Sequence, residues 1–315
     1  MCETRPMAPG LPCSDPTHVA LFYRGEREYV DGVVQFAAPA IAAHEPVAVA
    51  VPGPKAQLLE GTLRELGATS EIFDMVELGR NPARIIPAVE TMLTRHPGRR
   101  LHYVGEPIWA SRSAEEIAEA TRHEALINLA WPGADIRVLC PYDTRTLDMA
   151  VLEDAELTHP HMIVGGVIRP STRYRGPSIP PGVDRPLPPP PGNAAELGFG
   201  LEELVSVRAL VAGRATVAGL AADRVSDLVL AVDELATNTI RHGAGRGVLR
   251  VWSSVTDVIC QIEDPGHITD PLAGRRVPVL DAVGGLGLWT VNQLCDLVEL
   301  RTRPAGTVVR VHANL

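Results

Sequence analysis

The stretch DELATNTIRHG, residues 233–243, decides the fold of the last third of the chain. It ends a long segment, residues 196–243, whose apolar residues recur with helical spacing and which contains few helix breakers before its final glycine. Glu234, Asn238 and His242 are spaced four residues apart, so they lie along one face of the predicted helix. The segment therefore predicts a helix that presents an acid, an amide and an imidazole on the same side.

An acid and an amide one helical turn apart suit magnesium chemistry. The side-chain oxygen of Asn238 is a neutral ligand for a hard cation, and the carboxylate of Glu234 can accept a proton from an attacking hydroxyl or water. Polar residues at this spacing are also common on solvated helix faces. The sequence that follows the helix favours the first interpretation.

Three downstream segments carry the features of a nucleotide site. VICQIEDPGHITD, residues 258–270, is a predicted strand ending in Asp264, whose carboxylate can accept the amino group of adenine, while Gly266 leaves room for the base. DAVGGLGLWTVNQLCDLVEL, residues 281–300, contains a glycine-rich helix start, where backbone amides can hold phosphates. The last strand, TRPAGTVVRVHANL, places the hydroxyl of Thr307 near its beginning, where it can reach the base through water.

This order of helix, strand with D-x-G, glycine-rich segment and G-T strand resembles the ATP-binding domain of the GHKL superfamily, from about residue 200 to the end of the chain. The resemblance implies an α+β sandwich that binds ATP and Mg²⁺, in which His242 shapes the site. The roles implied for the other residues are catalytic base for Glu234, Mg²⁺ ligand for Asn238, adenine contacts for Asp264 and Thr307, base approach for Gly266, and nucleotide lid for Gly285 and Gly287.

Within the superfamily, the sequence is most similar to the short anti-sigma-factor serine kinases. A histidine kinase needs a phosphoacceptor histidine on a helix just upstream, and no histidine occurs between His161 and His242. The domain is also too compact to include the transducer domain of gyrase-type ATPases. The resemblance therefore implies a protein serine/threonine kinase that binds a sigma factor and phosphorylates a STAS-type antagonist protein, and that is able to form a homodimer.

The sequence departs from the superfamily pattern in two places. His267 and Ile268 stand where the fuller D-x-G-x-G motif has its second glycine, and the loop that follows carries Arg275 and Arg276 instead of an extended lid. These arginines either neutralise the phosphate during transfer or are surface charges. The departures concern phosphotransfer rather than ATP binding.

Two alternative functions stay open. The first is a non-catalytic module that binds nucleotide and captures a transcription regulator without chemistry. The second is an orphan sensor histidine kinase that uses a phosphoacceptor elsewhere, such as His159 or His161.

Proline and glycine replace apolar periodicity in RPSTRYRGPSIPPGVDRPLPPPPGNAA, residues 169–195, which predicts an extended linker. The linker separates a domain at residues 15–168, preceded by a flexible leader at 1–14, from the ATP-binding domain at 196–315. Before the linker, apolar runs alternate with amphipathic helical segments, which predicts an α/β domain with a parallel sheet flanked by helices. One strand-turn-helix junction, VAVAVPGPKAQLL, lacks the G-x-x-x-x-G-K-[ST] spacing of a phosphate loop and is interpreted as a plain turn.

Residues 105–162 resemble the MEDS sensory domain of bacterial regulators. The matching motifs are GEP from Gly105, RHEALIN from Arg122, CPYD from Cys140 and THP from Thr158. The resemblance covers roughly residues 15 to 165 and implies a RecA-like α/β fold without the usual nucleotide loop.

Several polar residues of these motifs are candidates for a sensory ligand site. Glu106, His123, Glu124 and Asp143, with His159 nearby in sequence, can line a cleft at the carboxyl ends of the strands, where open α/β sheets bind ligands. Hydrogen bonding within the protein interior is the alternative, and it is favoured for His123 and Glu124 because both lie within a predicted helix.

Composition limits the partners and the compartment. A formal net charge of −9 and a pI near 5.6 argue against an extended nucleic-acid surface. The N-terminal sequence lacks a signal-peptide profile, and no apolar run approaches the roughly 20 residues of a membrane helix. The five cysteines are scattered without metal-binding spacing. We therefore expect a cytoplasmic protein that binds neither nucleic acid nor membrane.

Overall fold

The structure of the chain is a computed structural model, which describes residues 17–67, 70–278 and 286–315. The predicted leader and Gly285 of the predicted lid lie outside the described residues. Within the described part of the chain, no helix combines the length and the apolar character needed to cross a bilayer.

The N-terminal domain is an α/β domain with helices on both faces of its sheet. Its strands are β1 (His18–Tyr23), β2 (Val47–Val51), β3 (Ser70–Asp74), β4 (Leu101–Gly105), β5 (Ile136–Asp143), β6 (His161–Val164) and β7 (Val167–Pro170). Its helices are α1 (Gly25–Ala42), α2 (Gly53–Glu65), α3 (Met75–Leu78), α4 (Ile85–Arg95), α5 (Ala114–Ala130) and α6 (Met149–Thr158), with a 3-10 turn at Pro82–Arg84. The described strands follow the order β3-β2-β4-β5-β1-β6-β7, and the pair β6 and β7 is antiparallel whereas the others are parallel.

Apolar strands bury both of their faces, as expected for a parallel sheet covered by helices. All five residues of β2 are buried. Val49 packs with Tyr29 of α1 and Leu59 of α2 on one side of the sheet, whereas Ala48 packs with Val89 of α4 and Ala120 of α5 on the other. Alternating side chains of the same strand therefore serve two separate cores.

The C-terminal domain is an α+β sandwich of one antiparallel sheet and three described helices. Its strands are β8 (Ala195–Phe199), β9 (Gly247–Ser253), β10 (Asp257–Asp264), β11 (Leu297–Arg303) and β12 (Gly306–Asn314), and they follow the order β11-β12-β10-β9-β8. Its helices are α7 (Leu204–Ala218), α8 (Ala222–His242) and α9 (Leu286–Leu294). Val211, Val232 and Val291 of these helices pack with Val251 and Val311 on one face of the sheet. The predicted fold class is confirmed for both domains.

The opposite face of this sheet is buried as well, but it is charged. Glu299, Arg301 and Arg310 are each at most 5% exposed. The segment between the domains lies against this face, because Arg301 donates a 2.8 Å hydrogen bond to the carbonyl of Arg185 and Arg310 donates one of 2.6 Å to that of Pro188. The proline-rich segment is therefore docked on the C-terminal domain.

The two domains contact each other directly. Leu272 of the C-terminal domain is 2% exposed and packs with Ile86 of α4 and with Leu126 and Ala130 of α5. Beside this apolar contact, Glu119 of α5 lies between arginines of the C-terminal domain. The interface thus combines an apolar cluster with a buried charge cluster.

Candidate nucleotide site

A cavity of about 460 Å³ opens between α8, the end of β10 and the start of α9. Asn238 and His242 of α8 line it, together with Asp264, Gly266 and Thr307. Helix α8 runs from Ala222 to His242, and Asn238 and His242 of the predicted face line the cavity, whereas Glu234 is not among its lining residues. A cavity of this size suits a small-molecule ligand such as a nucleotide.

The carboxylate of Asp264 lies in the wall of the cavity and accepts hydrogen bonds from two neighbouring residues. Its Oδ2 accepts a 2.8 Å hydrogen bond from the hydroxyl of Thr239, and its Oδ1 accepts one of 2.7 Å from the backbone N–H of Gly266. The hydroxyl of Thr307 donates a 2.8 Å hydrogen bond to the carbonyl of Gly266. Because Asp264 and Thr307 are also paired in register on adjacent strands, both candidate adenine contacts lie at the same end of the sheet.

Gly266 is required by close packing. A methyl group built on it would lie 2.7 Å from the carbonyl oxygen of His242 and 2.9 Å from the Cα atom of Gly243. Backbone atoms cannot move away as a flexible side chain can, so the loop after β10 and the end of α8 approach each other only through glycine.

The acid and the amide converge beside Gly287 of α9, which lines the cavity. A methyl group built on Gly287 would lie 2.9 Å from Nδ2 of Asn238 and 3.1 Å from Oε2 of Glu234. Among residues 17–67, 70–278 and 286–315, the side chains of Glu234 and Asn238 are partly exposed and take part in no hydrogen bond. The arrangement fits Mg²⁺, because the amide oxygen of Asn238 is a suitable ligand and the carboxylate beside it provides negative charge.

Thr239 is a site residue that the sequence analysis missed. It occupies the buried stripe of α8 together with Leu228, Val232 and Leu235, and it is 2% exposed. A hydroxyl in an otherwise apolar stripe needs a hydrogen-bond partner, and Asp264 provides it. Its position in the helical pattern was the signal that could have identified it.

The two arginines of the loop after β10 have different environments. Arg276 is exposed and lines the cavity. Arg275 is 5% exposed and forms a 3.2 Å ion pair with Glu119 of the N-terminal domain, and burial lowers the pKa of its guanidinium to about 10. The sequence predicts two alternative roles for Arg275, a phosphate-neutralising group or a surface charge. Arg275 fits neither role, because it forms a buried contact between the two domains.

The N-terminal domain also contacts α9, the helix that begins beside the cavity. Arg84 donates hydrogen bonds of 2.8, 2.6 and 2.9 Å to the carbonyl oxygens of Asn292, Gln293 and Cys295, which are acceptors left open at the end of α9. The amide of Asn81 donates a further 3.0 Å bond to the carbonyl of Asn292. The N-terminal domain therefore contacts both the loop after β10 and helix α9, two elements that border the cavity.

The candidate sensory residues separate into two groups. Glu106 follows β4 and Asp143 ends β5, so both lie at the carboxyl edge of the sheet, as predicted. Glu106 is 1% exposed, accepts a 3.1 Å hydrogen bond from Tyr23 and forms an ion pair with Lys55. Burial raises the pKa of the Glu106 carboxyl to about 7 even though Lys55 opposes the shift. The junction interpreted as a plain turn therefore supplies a lysine to this polar edge.

His123 and Glu124 lie elsewhere, within α5, and are fully buried. Burial lowers the pKa of His123 to about 3, so its imidazole is neutral at physiological pH. Glu124 contacts His18, Cys140 and His159 rather than Glu106. The structure thus places these two residues in the interior, in line with the hydrogen-bonding alternative, and apart from the edge that holds Glu106.

Comparison with known families assigns both domains. The family model described as MEDS, MEthanogen/methylotroph, DcmR Sensory domain, matches residues 17–160. The model described as histidine kinase-like ATPase domain matches residues 197–313. The two-domain architecture expected from the sequence motifs is confirmed.

Comparisons of the chain with curated proteins and with solved structures do not extend this assignment. No curated protein matches the chain. Among solved structures, one described as an ATPase domain is similar at 14% sequence identity and a TM-score of 0.31, over 47% of this chain and 68% of that chain.

Proposed function

We propose that this chain, which joins a MEDS sensory domain to a histidine kinase-like ATPase domain, is an anti-sigma-factor regulator with Mg–ATP-dependent serine/threonine kinase activity. It phosphorylates an antagonist protein of the STAS type and sequesters a sigma factor, under control of the sensory domain. The observation that carries the proposal is the approach of Glu234 and Asn238 to Gly287, in the wall of a cavity that Asp264 also lines.

The residues of the candidate site have two kinds of role, nucleotide binding and proton transfer. Asp264 and Thr307 recognise the base, and Asn238 provides an oxygen for Mg²⁺. Bound Mg–ATP supplies the phosphoryl group. Glu234 accepts the proton of the serine hydroxyl that attacks this group, and Arg276 adds positive charge at the wall of the cavity.

Histidine chemistry is disfavoured by the sequence upstream of the ATPase domain and by the surroundings of His159. No histidine lies between His161 and His242, so the ATPase domain has no phosphoacceptor helix directly upstream. His159 is 0% exposed, and its ring contacts His18 and Tyr142. A ring enclosed in this way cannot reach a nucleotide in another domain without local unfolding.

Contacts between the domains support sensory control. The loop that carries Arg275 and Arg276 borders the nucleotide cavity, and Arg275 is held by Glu119 of the MEDS domain. The end of α9 is held by Arg84. A change in the position of α5 or of the turn before α4 would therefore reach two walls of the nucleotide cavity directly.

Phosphotransfer from labelled Mg–ATP tests the proposal. The full chain is mixed with candidate STAS-type antagonists from the same genome, and acid-stable label on an antagonist is the expected result. Glu234→Ala should reduce transfer by roughly 10²- to 10⁴-fold while nucleotide remains bound, because it removes the general base. Glu202→Ala, which removes an exposed acid of the same domain, is the matched control.

Two other outcomes identify the alternatives. Acid-labile label on the chain itself would indicate phosphohistidine and contradict a serine/threonine kinase. Nucleotide binding without transfer to any antagonist, together with unchanged sigma-factor control by Glu234→Ala in cells, would indicate a capture module without chemistry.

A further inference from the structure

Four side chains with metal-binding atoms meet inside the MEDS domain. His18 begins β1, Glu124 lies in α5, Cys140 lies in β5 and His159 follows α6. One donor atom from each lies within 4.8 Å of all the others, and none of the four residues is more than 2% exposed. Four separate elements therefore converge on one point of the interior.

Hydrogen bonds at the far side of each histidine fix which nitrogen faces this point. Asn128 donates its amide to the carbonyl of Thr158 at 2.7 Å, so its Oδ1 is oriented to accept from Nδ1 of His18 at 3.1 Å. Nδ1 of His159 donates to the carbonyl of Ala155 at 2.9 Å. With Nδ1 engaged as a donor in both rings, both Nε2 atoms face the cluster. This is the arrangement by which proteins orient metal-binding histidines.

Hydrogen bonds within the cluster do not give every buried polar atom a partner. Oε2 of Glu124 lies 3.1 Å from Nε2 of His18 and 3.3 Å from Nε2 of His159, so one carboxylate oxygen is shared by both rings. The thiol of Cys140 supplies one proton, to Oε2 at 3.1 Å. Within the described residues, Oε1 of Glu124 and Nε2 of His159 have no hydrogen bond of acceptable geometry. Buried acceptors that lack donors are costly, and a cation at the centre of the cluster would give Nε2 of His159 a partner.

The distances match a tetrahedral site. Ligand atoms at 2.0–2.3 Å from Zn²⁺ stand about 3.3–3.7 Å from one another when the angles are tetrahedral. Four of the six donor pairs are separated by 3.1 to 3.4 Å, including 3.4 Å between Sγ of Cys140 and Nε2 of His18, and all six lie within 4.8 Å. The combination of two imidazoles, a carboxylate and a thiolate selects a borderline transition metal over Mg²⁺ or Ca²⁺.

We propose that His18, Glu124, Cys140 and His159 bind one Zn²⁺ ion. Binding forms one Zn–S, one Zn–O and two Zn–N bonds, and the proton of the Cys140 thiol passes to solvent. Four protein ligands close the coordination sphere, which is typical of zinc sites that stabilise a fold. The ion would tie β1 and β5 to α5, the helix whose Glu119 contacts the ATPase domain. The proposal does not depend on the kinase assignment.

Metal content and cobalt spectroscopy of the full chain test this site. We expect about one Zn²⁺ per chain by elemental analysis, either as purified or after stripping with a chelator and dialysis against Zn²⁺. Readdition of Zn²⁺ should raise the melting temperature, since the metal binds the folded state. The Co²⁺-substituted chain should show visible bands of tetrahedral cobalt and a near-ultraviolet thiolate-to-cobalt band, which identifies sulfur ligation without any variant.

Variants locate the site. Cys140→Ser and His159→Gln should bind Zn²⁺ at least ~100-fold more weakly, because loss of a direct ligand costs no less than loss of an outer-shell partner. Cys260→Ser and His102→Gln, which replace residues that are each 1% exposed outside the cluster, should keep wild-type affinity. Less than about 0.1 equivalent of Zn²⁺ or Co²⁺ in the reconstituted wild type, a cobalt spectrum without the thiolate band, or wild-type affinity in folded Cys140→Ser would each overturn the proposal.

Discussion

The carboxylate of Glu119 and the guanidinium of Arg275 form a buried ion pair of 3.2 Å that joins the two domains. Glu119 is 0% exposed, and its second oxygen is bound by Arg301 of β11. One acid of the MEDS domain therefore compensates two arginines of the ATPase domain. Because Arg275 precedes Arg276 at the wall of the nucleotide cavity, this pair connects the interface to the site.

Glu119→Ala should destabilise the chain and weaken nucleotide binding. It leaves the buried guanidinium of Arg275 without its carboxylate and Arg301 with only the 3.9 Å contact to Asp184, which costs about 3–5 kcal/mol of the free energy of unfolding. The loop that carries Arg275 then loses its contact with the N-terminal domain and must be ordered when ATP binds. We expect this cost to lower the affinity for ATP by roughly 3- to 10-fold. Urea unfolding and calorimetric titration measure the two effects.

A glutamate on the surface of the same domain provides the control for Glu119. Glu153 is exposed on α6 and pairs with Arg173 at 3.5 Å. Glu153→Ala should cost at most about 1 kcal/mol and leave ATP affinity unchanged. Equal ATP affinities for Glu119→Ala and wild type would contradict direct coupling between this interface and the cavity.

Gly287→Ala should weaken Mg–ATP binding. The added methyl group would lie 2.9 Å from Nδ2 of Asn238, so the amide must move from the position that suits Mg²⁺. Nδ2 ends a flexible side chain, so its displacement costs little free energy of unfolding, and the expected effect is a several-fold loss of Mg–ATP affinity. ATP affinity is measured once in the presence of Mg²⁺ and once in the presence of a chelator. The variant should lose more affinity, relative to wild type, when Mg²⁺ is present.

Gly213→Ala is the matched control for Gly287→Ala. Gly213 lies in the interior of α7, and no atom lies within 4 Å of a methyl group built there. Alanine should raise the free energy of unfolding by up to about 1 kcal/mol because it favours the helix. ATP affinity should not change, and a Gly287→Ala chain that binds Mg–ATP like wild type would contradict the proposed position of the metal.

Thr239→Val should weaken adenine recognition. Valine has the shape of threonine but cannot donate to Oδ2 of Asp264, so the carboxylate loses a 2.8 Å hydrogen bond and its fixed orientation. We expect a loss of about 1–3 kcal/mol in the free energy of unfolding and a smaller preference for ATP over GTP. Competition binding measures the preference, and Thr216→Val, at an exposed position of α7, is the control. An unchanged preference would argue against Asp264 as the adenine contact.

Local patterns predicted much of the fold and of the nucleotide site. The four-residue spacing of Glu234 and Asn238 survives in the structure because both belong to one regular helix, and Asp264 and Thr307 meet because antiparallel neighbours end together. The contact of Glu119 with Arg275 could not be predicted in this way. It joins residues 156 positions apart, and its partners become neighbours only when the domains dock.

The MEDS domain illustrates the same limit. Glu106 and Glu124 occur in neighbouring motifs, yet Glu106 lies at the carboxyl edge of the sheet, whereas Glu124 faces the start of β1 through His18. Periodicity identifies elements, but it does not say which end of a sheet a helix residue reaches. That depends on how α5 packs across the sheet, which is a property of the assembled domain.

Glu106 should make the stability of the chain depend on pH. Its pKa is raised from an ordinary 4.5 to about 7 by burial, against the contact with Lys55. Between these values the folded chain keeps a proton that the unfolded chain has released, so the free energy of unfolding falls as pH rises through this window. The contribution of this one group is roughly 3 kcal/mol at most.

Glu106→Gln should remove this contribution, because glutamine keeps the shape of the protonated acid and does not titrate. Urea unfolding at several pH values between 5 and 8 should show the variant gaining stability relative to wild type as pH rises. Glu26→Gln, at an exposed position of α1, gives the baseline for replacing a surface glutamate. If the difference between Glu106→Gln and wild type stays constant across this range, Glu106 ionises at its ordinary pKa and the ion pair with Lys55 outweighs the cost of burial.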